Sequence, residues 1–305
     1  MDFFKRKDLK PMLIGREGKP FDDSEYIYEL KLDGIRSIAY LDESGTELRN
    51  KRNLQVSPLY PELSEIHKQV NNRCILDGEI IVMREGKPDF AEIKRRALMS
   101  NPFRIQMAAS KLPVSFTAFD ILFLKDQQVM DRPLMERKAL LQDTIIFEND
   151  KLSISRYIEE QGIQLYQLAE QNQLEGIVAK NKNSLYYPDK RTKEWVKIKH
   201  LQDEDFIVCG YIQKESGVTS LILGQYREGA LVYGGHVTLG VSGEDFRRIS
   251  GHEKRTEHPF SDLPNGHGHD QAVWIKPDLI CTVQFMHRMD GGGMRQPIFK
   301  GLRAD

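Results

Sequence analysis

The sequence predicts a two-domain α+β protein: a mixed domain of antiparallel sheets and helices over residues 1–201, then a small β-barrel over residues 202–305. Three observations predict it. The chain has 305 residues, and at roughly 150 residues per domain that length holds two cores. Its first two-thirds interleaves apolar β-runs with segments of helical spacing, with no repeat of 20–50 residues. Near residues 201–205 a polar run, Leu201-Gln202-Asp203-Glu204-Asp205, closes that pattern, and the remainder becomes short strands with Gly-rich turns.

The elements follow in chain order. Residues 1–24, with Pro11, Gly15, Gly18 and Pro20, read as loop and turn. Residues 26–30 and 36–41 read as strands around a Gly-containing turn, and 46–50 as a third. Residues 75–83 are β-rich, 90–99 have helical spacing, and 114–124 form a long apolar β-run expected to be buried. Residues 134–146 and 165–173 are helix-like, and 176–180 and 194–199 are short strands. After the boundary, 206–212, 221–226, 231–237, 273–275 and 280–285 are strands, with a helix-like piece at 243–249. Five short strands and one helix in about 100 residues suit an OB-fold.

Composition excludes several classes. The 44 Lys+Arg against 45 Asp+Glu give a net charge of −1, so any groove for a polyanion has to come from local patterning. No window approaches about 18 uninterrupted apolar residues, which excludes a transmembrane helix. The start, Met1-Asp2-Phe3-Phe4-Lys5-Arg6, has no secretory pattern. Cys74, Cys209 and Cys281 are far apart and form neither a zinc set nor a disulfide framework. A reducing cytoplasm is expected.

Common nucleotide signatures are absent. Gly15-Arg16-Glu17-Gly18-Lys19 is too short for a P-loop, and no G-x-G-x-x-G follows a strand. In Glu29-Leu30-Lys31-Leu32-Asp33-Gly34-Ile35-Arg36, a lysine ends a strand at an Asp-Gly turn and an arginine opens the next. A lysine held there is aimed; the plain alternative is a surface hairpin. In Trp195-Val196-Lys197-Ile198-Lys199, alternation puts both lysines on one face, about 7 Å apart, an awkward pair unless an anion lies between them. Asp77 and Glu79 share a face within Leu76-Asp77-Gly78-Glu79-Ile80, which suits a metal or sugar hydroxyls, or else a half-exposed edge strand. Glu175 and Lys180 bracket the apolar run 176–179, with Glu175 expected at the strand entrance. Phe119, inside Ala118-Phe119-Asp120-Ile121-Leu122, is either core or a platform for a base.

Taken in order, these stretches resemble the motifs of the covalent nucleotidyltransferases: ATP-dependent DNA ligases, RNA ligases and mRNA capping enzymes. Trp274-Ile275-Lys276-Pro277, followed by Met294-Arg295-Gln296-Pro297-Ile298-Phe299-Lys300-Gly301-Leu302-Arg303, is similar to the end of the OB-fold in bacterial ATP-dependent ligases, above all the ligase module of DNA ligase D. The resemblance runs from about residue 25 to 303. It implies an adenylation (nucleotidyltransferase) domain over 1–201 and an OB-fold over 202–305. The implied activity is sealing of 3′-OH/5′-phosphate nicks through lysyl-AMP and DNA-adenylate, in repair or end joining. ATP and Mg²⁺ (or Mn²⁺) are the implied cofactors.

By the resemblance, Lys31 is the nucleophile. Glu29 lies at the adenine edge, Arg36 and Glu79 at the ribose, and Phe119 on the base. Glu175, with Glu79, holds the metal. Lys197 and Lys199 meet the α-phosphate, and Arg52 the nick or AMP phosphate. Arg295 and Arg303 orient pyrophosphate, and Lys180 contacts either phosphate or Glu175. Arg36, Lys197 and Lys199 are expected to surround Lys31 and favour its neutral amine. The chain departs from its relatives at Leu54, His287 and Met289, and at its end, Asp305.

Nicked duplex DNA is the expected partner, with or without Ku, for a monomeric bacterial cytoplasmic protein used at the nucleoid. The rivals are an RNA ligase or capping-type enzyme, and a catalytically silent OB-fold nucleic-acid-binding protein. Residues 201–205 are the expected hinge. The histidines 252, 258, 267 and 269 raise a structural metal site as a minor alternative, and glycines 291–293 read as a hairpin tip.

Overall fold

A computed structural model describes residues 3–213, 219–266, 268–289 and 293–303. The chain divides into two compact units, Met1–His200 and Leu201–Asp305. His267, Gly291, Gly292 and Asp305 lie outside the described residues.

Two sheets build the first unit. One orders its strands Leu13–Glu17, Arg191–Lys199, Gly176–Asn181, Tyr26–Leu30 and Tyr157–Glu159. The other runs Gly45–Asn50, Ile35–Asp42, Cys74–Arg84, Val114–Leu124 and Gln127–Gln128, with Lys87–Pro88 and Leu152–Ile154 paired beside it. The long apolar run is the Val114–Leu124 strand, buried over most of its length. Asp77 and Glu79 lie on the central strand of the second sheet, which overturns the edge-strand alternative. Helices Phe90–Ala97, Pro102–Lys111, Leu134–Thr144 and Gly162–Gln171 flank the sheets.

Leu13–Glu17, inside the segment expected to be loop, is a strand. It pairs in parallel with Arg191–Lys199, and the decoy glycine run caps it, with the Gly18 amide donating to the Lys197 carbonyl at 3.2 Å. Local sequence missed it because its pairing partner lies about 180 residues on, and tertiary context overrides weak β propensity. Helix Pro102–Lys111 was also missed. Asn101 caps it by accepting from the Arg104 amide at 3.1 Å, and Pro102 occupies its first turn, a start signal hidden between two short apolar stretches.

The second unit is a curled sheet in the order Ala230–Val237, Thr219–Arg227, Gln202–Gln213, Val273–Phe285 and Lys254–Arg255, with Ile298–Leu302 on Val273–Phe285. A parallel bridge from Leu239 to Ile298 brings the first strand round to the last, an OB-type closure. Residues 273–275 and 280–285 belong to one strand rather than two; a bulge opposite Cys209 absorbs Pro277. Residues 202–205 are likewise not a free linker. They start the Gln202–Gln213 strand, with Asp205 opposite Thr282, so only His200 and Leu201 stay outside regular strand there.

Candidate active site

The strand Tyr26–Leu30 sits between Gly176–Asn181 and Tyr157–Glu159, and its ladder continues one step: the Lys31 amide donates to the Gly176 carbonyl at 2.9 Å. The chain then crosses to the other sheet through Leu32, Asp33 and Gly34. A Cβ on Gly34 would stand 2.3 Å from the Ile80 carbonyl, so this turn lies flush on the central strand and admits no side chain. The crossing lines a cleft of about 430 Å³, mouth included, bounded by Ile14, Glu29, Lys31, Arg36, Glu79, Phe119, Ser155, Val178, Lys180 and Trp195.

At the mouth, Lys31 Nζ lies 2.9 Å from Glu175 Oε1. Glu175 stands just before its strand, as the sequence implied, and Gly176 turns there at φ +135°, where a Cβ would meet the Ile198 carbonyl at 2.1 Å. The nearest charge to Lys31 is therefore a carboxylate rather than the expected ring of cations. Arg36 is engaged elsewhere, donating through Nε and Nη2 to the two oxygens of Asp77, each at 2.6 Å. Tyr186 completes Asp77 with a hydroxyl donor at 2.5 Å. Burial disfavours the Arg36 charge, but Asp77 outweighs it and holds the guanidinium well above its ordinary range.

The floor of the cleft is a buried acid between two buried lysines. Lys138 Nζ lies 2.5 Å from Glu29 Oε1, Lys180 Nζ lies 3.0 Å from Oε2, and Ser155 Oγ donates to Oε2 at 2.7 Å. Burial pushes the Glu29 carboxyl upward; Lys138 and Lys180 outweigh it and hold it below the usual range. Burial, only partly offset by Glu29, brings Lys180 down to about 8. Lys180 thus pairs with Glu29, not with Glu175. Glu175 and Lys180 are directed to different partners, Lys31 and Glu29, as their five-residue separation along one strand leads one to expect.

Phe119 forms a wall. It stands edge-on to Trp195 with centroids 6.4 Å apart; the Arg36 guanidinium lies 4.4 Å and the Lys180 ammonium 4.5 Å from its centroid. Burial raises the Glu79 carboxyl to about 8, against the pull of Arg36 and Lys31. Lys197 and Lys199 share a face as expected. Lys197 Nζ lies 3.1 Å from Glu17 Oε2, and burial lowers the Lys199 ammonium, with Glu17, Lys197, Glu175 and Lys31 as its charged neighbours.

Arg52 sits in the exposed turn after Gly45–Asn50, one of whose residues, Asn50, pairs with Ser37 beside Arg36. Arg295 and Arg303 belong to the second unit. Arg295 is buried, and Arg303 Nη1 is paired with Asp205, which also accepts from Thr282 Oγ1 at 2.9 Å. Among the described residues no three His, Cys, Asp or Glu converge as a metal set. His252 pairs with Asp278 at 2.5 Å, and His258 stacks on Phe260.

Trp195, Ser155, Lys138 and Tyr186 were missed. Alternation could have found Trp195, which shares the face of Lys197 and Lys199. Lys138, Ser155 and Tyr186 carry no local signal; separate elements bring them in. The cleft thus brings together an amine paired with a carboxylate, an aromatic wall and a buried acid flanked by two lysines.

Comparison with known proteins finds relatives over nearly the whole chain. The family model described as ATP dependent DNA ligase domain matches residues 14–199, and the one described as ATP dependent DNA ligase C terminal region matches residues 214–305. The chain is 27% identical to the SPbeta prophage-derived DNA ligase-like protein LigB of Bacillus subtilis, over 97% of this chain and 99% of that one. It is also 27% identical to the multifunctional non-homologous end joining DNA repair protein LigD of Mycobacterium tuberculosis, over 92% of this chain but only 36% of the relative's length. The solved mycobacterial DNA ligase D complexed with ATP and MES aligns over 98% of this chain and 96% of that one, at 25% identity and a TM-score of 0.58.

Proposed function

This chain belongs to the ATP-dependent DNA ligases, and on that premise we propose that Lys31 is the amine that carries AMP. Nζ attacks the α-phosphorus of ATP; a P–N bond forms, the bond to the β-phosphate oxygen breaks, and pyrophosphate leaves. The 5′-phosphate of a nick then takes the AMP and frees Nζ. Finally the 3′-hydroxyl attacks that activated phosphate, closes the backbone and expels AMP. An ordinary lysine is protonated at neutral pH, so Nζ must lose its proton first, and the contact with Glu175 must open.

Phe119 supports the adenine face, and Glu29, with Lys180 beside it, reads its edge. Arg36, fixed by Asp77, and Glu79 border the ribose. Lys197 and Lys199 hold the α-phosphate. Glu79 and Glu175 fit a divalent ion: Glu79 is a carboxyl whose burial its neighbouring cations do not offset, and Mg²⁺ is commonly bound by one or two carboxylates plus substrate phosphates. Bound there, Mg²⁺ or Mn²⁺ would neutralise phosphate charge during transfer. Arg52 is assigned to the nick or AMP phosphate, and Arg295 and Arg303 to pyrophosphate in the first step. Arg303→Ala should then slow adenylation of Lys31 more than sealing of a pre-adenylated nick.

The observation that carries this reading is Lys31 at a strand end inside the cleft, 2.9 Å from Glu175. Incubation with α-labelled ATP and Mg²⁺ should label wild type covalently and leave Lys31→Ala unlabelled; an unlabelled wild type would refute it. The substrate is nicked duplex DNA, the setting repair or end joining with Ku as a candidate partner, and the working form a cytoplasmic monomer. No helix among the described residues is long and apolar enough to cross a membrane.

A further inference from the structure

One solvent face of the first unit is apolar and cationic at once. In helix Pro102–Lys111 the stripe Ile105, Ala108 and Ala109 is buried, which turns Phe103 and Met107 outward, one helical turn apart. Phe103 is 74% and Met107 41% exposed, and Leu98, at the end of helix Phe90–Ala97, is 76% exposed. Lys111 continues the Phe103–Met107 row by one more turn, and Arg104 flanks it. Lys94, Arg95, Arg104 and Lys111 are all exposed. The sole acid between residues 90 and 111, Glu92, is buried and paired with Arg95. The face is therefore locally positive in a chain of net charge −1.

The ladders fix where this face stands. Ile35 pairs with Ile80 and Val82 with Val114, so the central strand runs past the turn at 31–34 before both helices branch from it. The Asp89 amide returns to the Val82 carbonyl at 2.8 Å to start the first helix, and the second helix ends three residues before Val114. Both helices thus join the sheet at the end where the Lys31 turn enters.

We propose that the Phe103–Met107–Lys111 row, with Arg104, is a docking surface for the duplex DNA flanking the nick. Large exposed apolar side chains in contiguous patches mark interaction sites. Cations between them suit phosphates, and an exposed ring suits the sugar and groove edge of a duplex. A second copy of this chain would instead set like charges face to face. The inference rests on the ligase reading and adds to it a surface outside the cleft.

The test uses the full chain with two double variants, Phe103→Ala/Met107→Ala and Arg104→Ala/Lys111→Ala. Self-adenylation with labelled ATP should match wild type in both, which also reports that the site is folded. KM for a nicked duplex should rise about tenfold in each, equivalent to about 1.4 kcal/mol. The charge variant should also lose about 2 from the slope of log affinity against log salt. Unchanged KM and salt slope would overturn the surface while adduct formation left the ligase reading standing. Sealing that is unchanged, together with loss of a concentration-dependent dimer in the apolar variant, would give the face to a second copy and overturn it too. A wild type that forms no adduct would remove the ligase reading, and this inference with it.

Discussion

Glu79 and Lys138 show what single residues are asked to do. Burial lifts the Glu79 carboxyl from about 4.5 to about 8, so across that window the folded chain holds a proton the unfolded chain has lost. Its contribution to stability is full below about pH 4.5 and fades as pH rises towards 8. Glu79→Gln removes the titration. The melting temperature of that variant relative to wild type should climb from pH 5 to pH 9; a constant difference would show that Glu79 is solvated. Lys138 does not line the cleft, yet it lies 2.5 Å from Glu29. Lys138→Met should raise KM for ATP in adenylation about tenfold with little change in kcat, and Lys138→Arg should recover part of it. A fall in kcat alone would rule out a positioning role. Sequence could nominate Glu29, Lys31 and Phe119 because each sits in a short motif. It could not nominate Lys138, whose partner is more than 100 residues away.

Elements matter here through their ends. The Lys31 turn is held because Gly34 lies flush on Ile80 and because the Lys31 amide extends the ladder to Gly176. Gly176→Ala puts a side chain at φ +135° and a Cβ against the Ile198 carbonyl. It should cost about 2–4 kcal/mol of stability in denaturant titration and displace Glu175 from Lys31. A loss below about 0.5 kcal/mol would mean that the strand end relaxes freely. The buried pair Arg137–Asp120, at 2.8 Å with both side chains fully buried, ties helix Leu134–Thr144 to the strand that carries Phe119. Arg137→Ala should cost about 3–5 kcal/mol because Asp120 is left buried and unpaired. Period-2 runs such as Val114–Leu124 were legible without a fold. The parallel strand Leu13–Glu17 and the unbroken strand through Pro277 were not, since a distant partner decides the first and a bulge rescues the second.

At the scale of the whole molecule, each unit has its own apolar clusters, one around Phe206, Phe285 and Ile249 and others around Leu76, Phe116 and Trp195. Residues 1–200 expressed alone should therefore give a cooperative thermal transition; a featureless melt would show that the first unit depends on the second. With a net charge of −1, affinity for nicked DNA has to come from local cations, so it should fall steeply between about 50 and 200 mM salt. The sequence alone determined the family, through a lysine at an Asp-Gly turn, paired lysines on a late strand and acids at strand ends in a set order, and it nominated the residues proposed to carry the chemistry. Short-range periodicity and turn chemistry are written locally, so they can be read locally. Tertiary structure alone decided who neutralises whom. Lys31 meets Glu175, Lys180 meets Glu29 and Arg36 meets Asp77, because a charge carried into a low-dielectric cleft takes whichever counter-charge the sheets bring within reach, and sequence distance does not enter that choice.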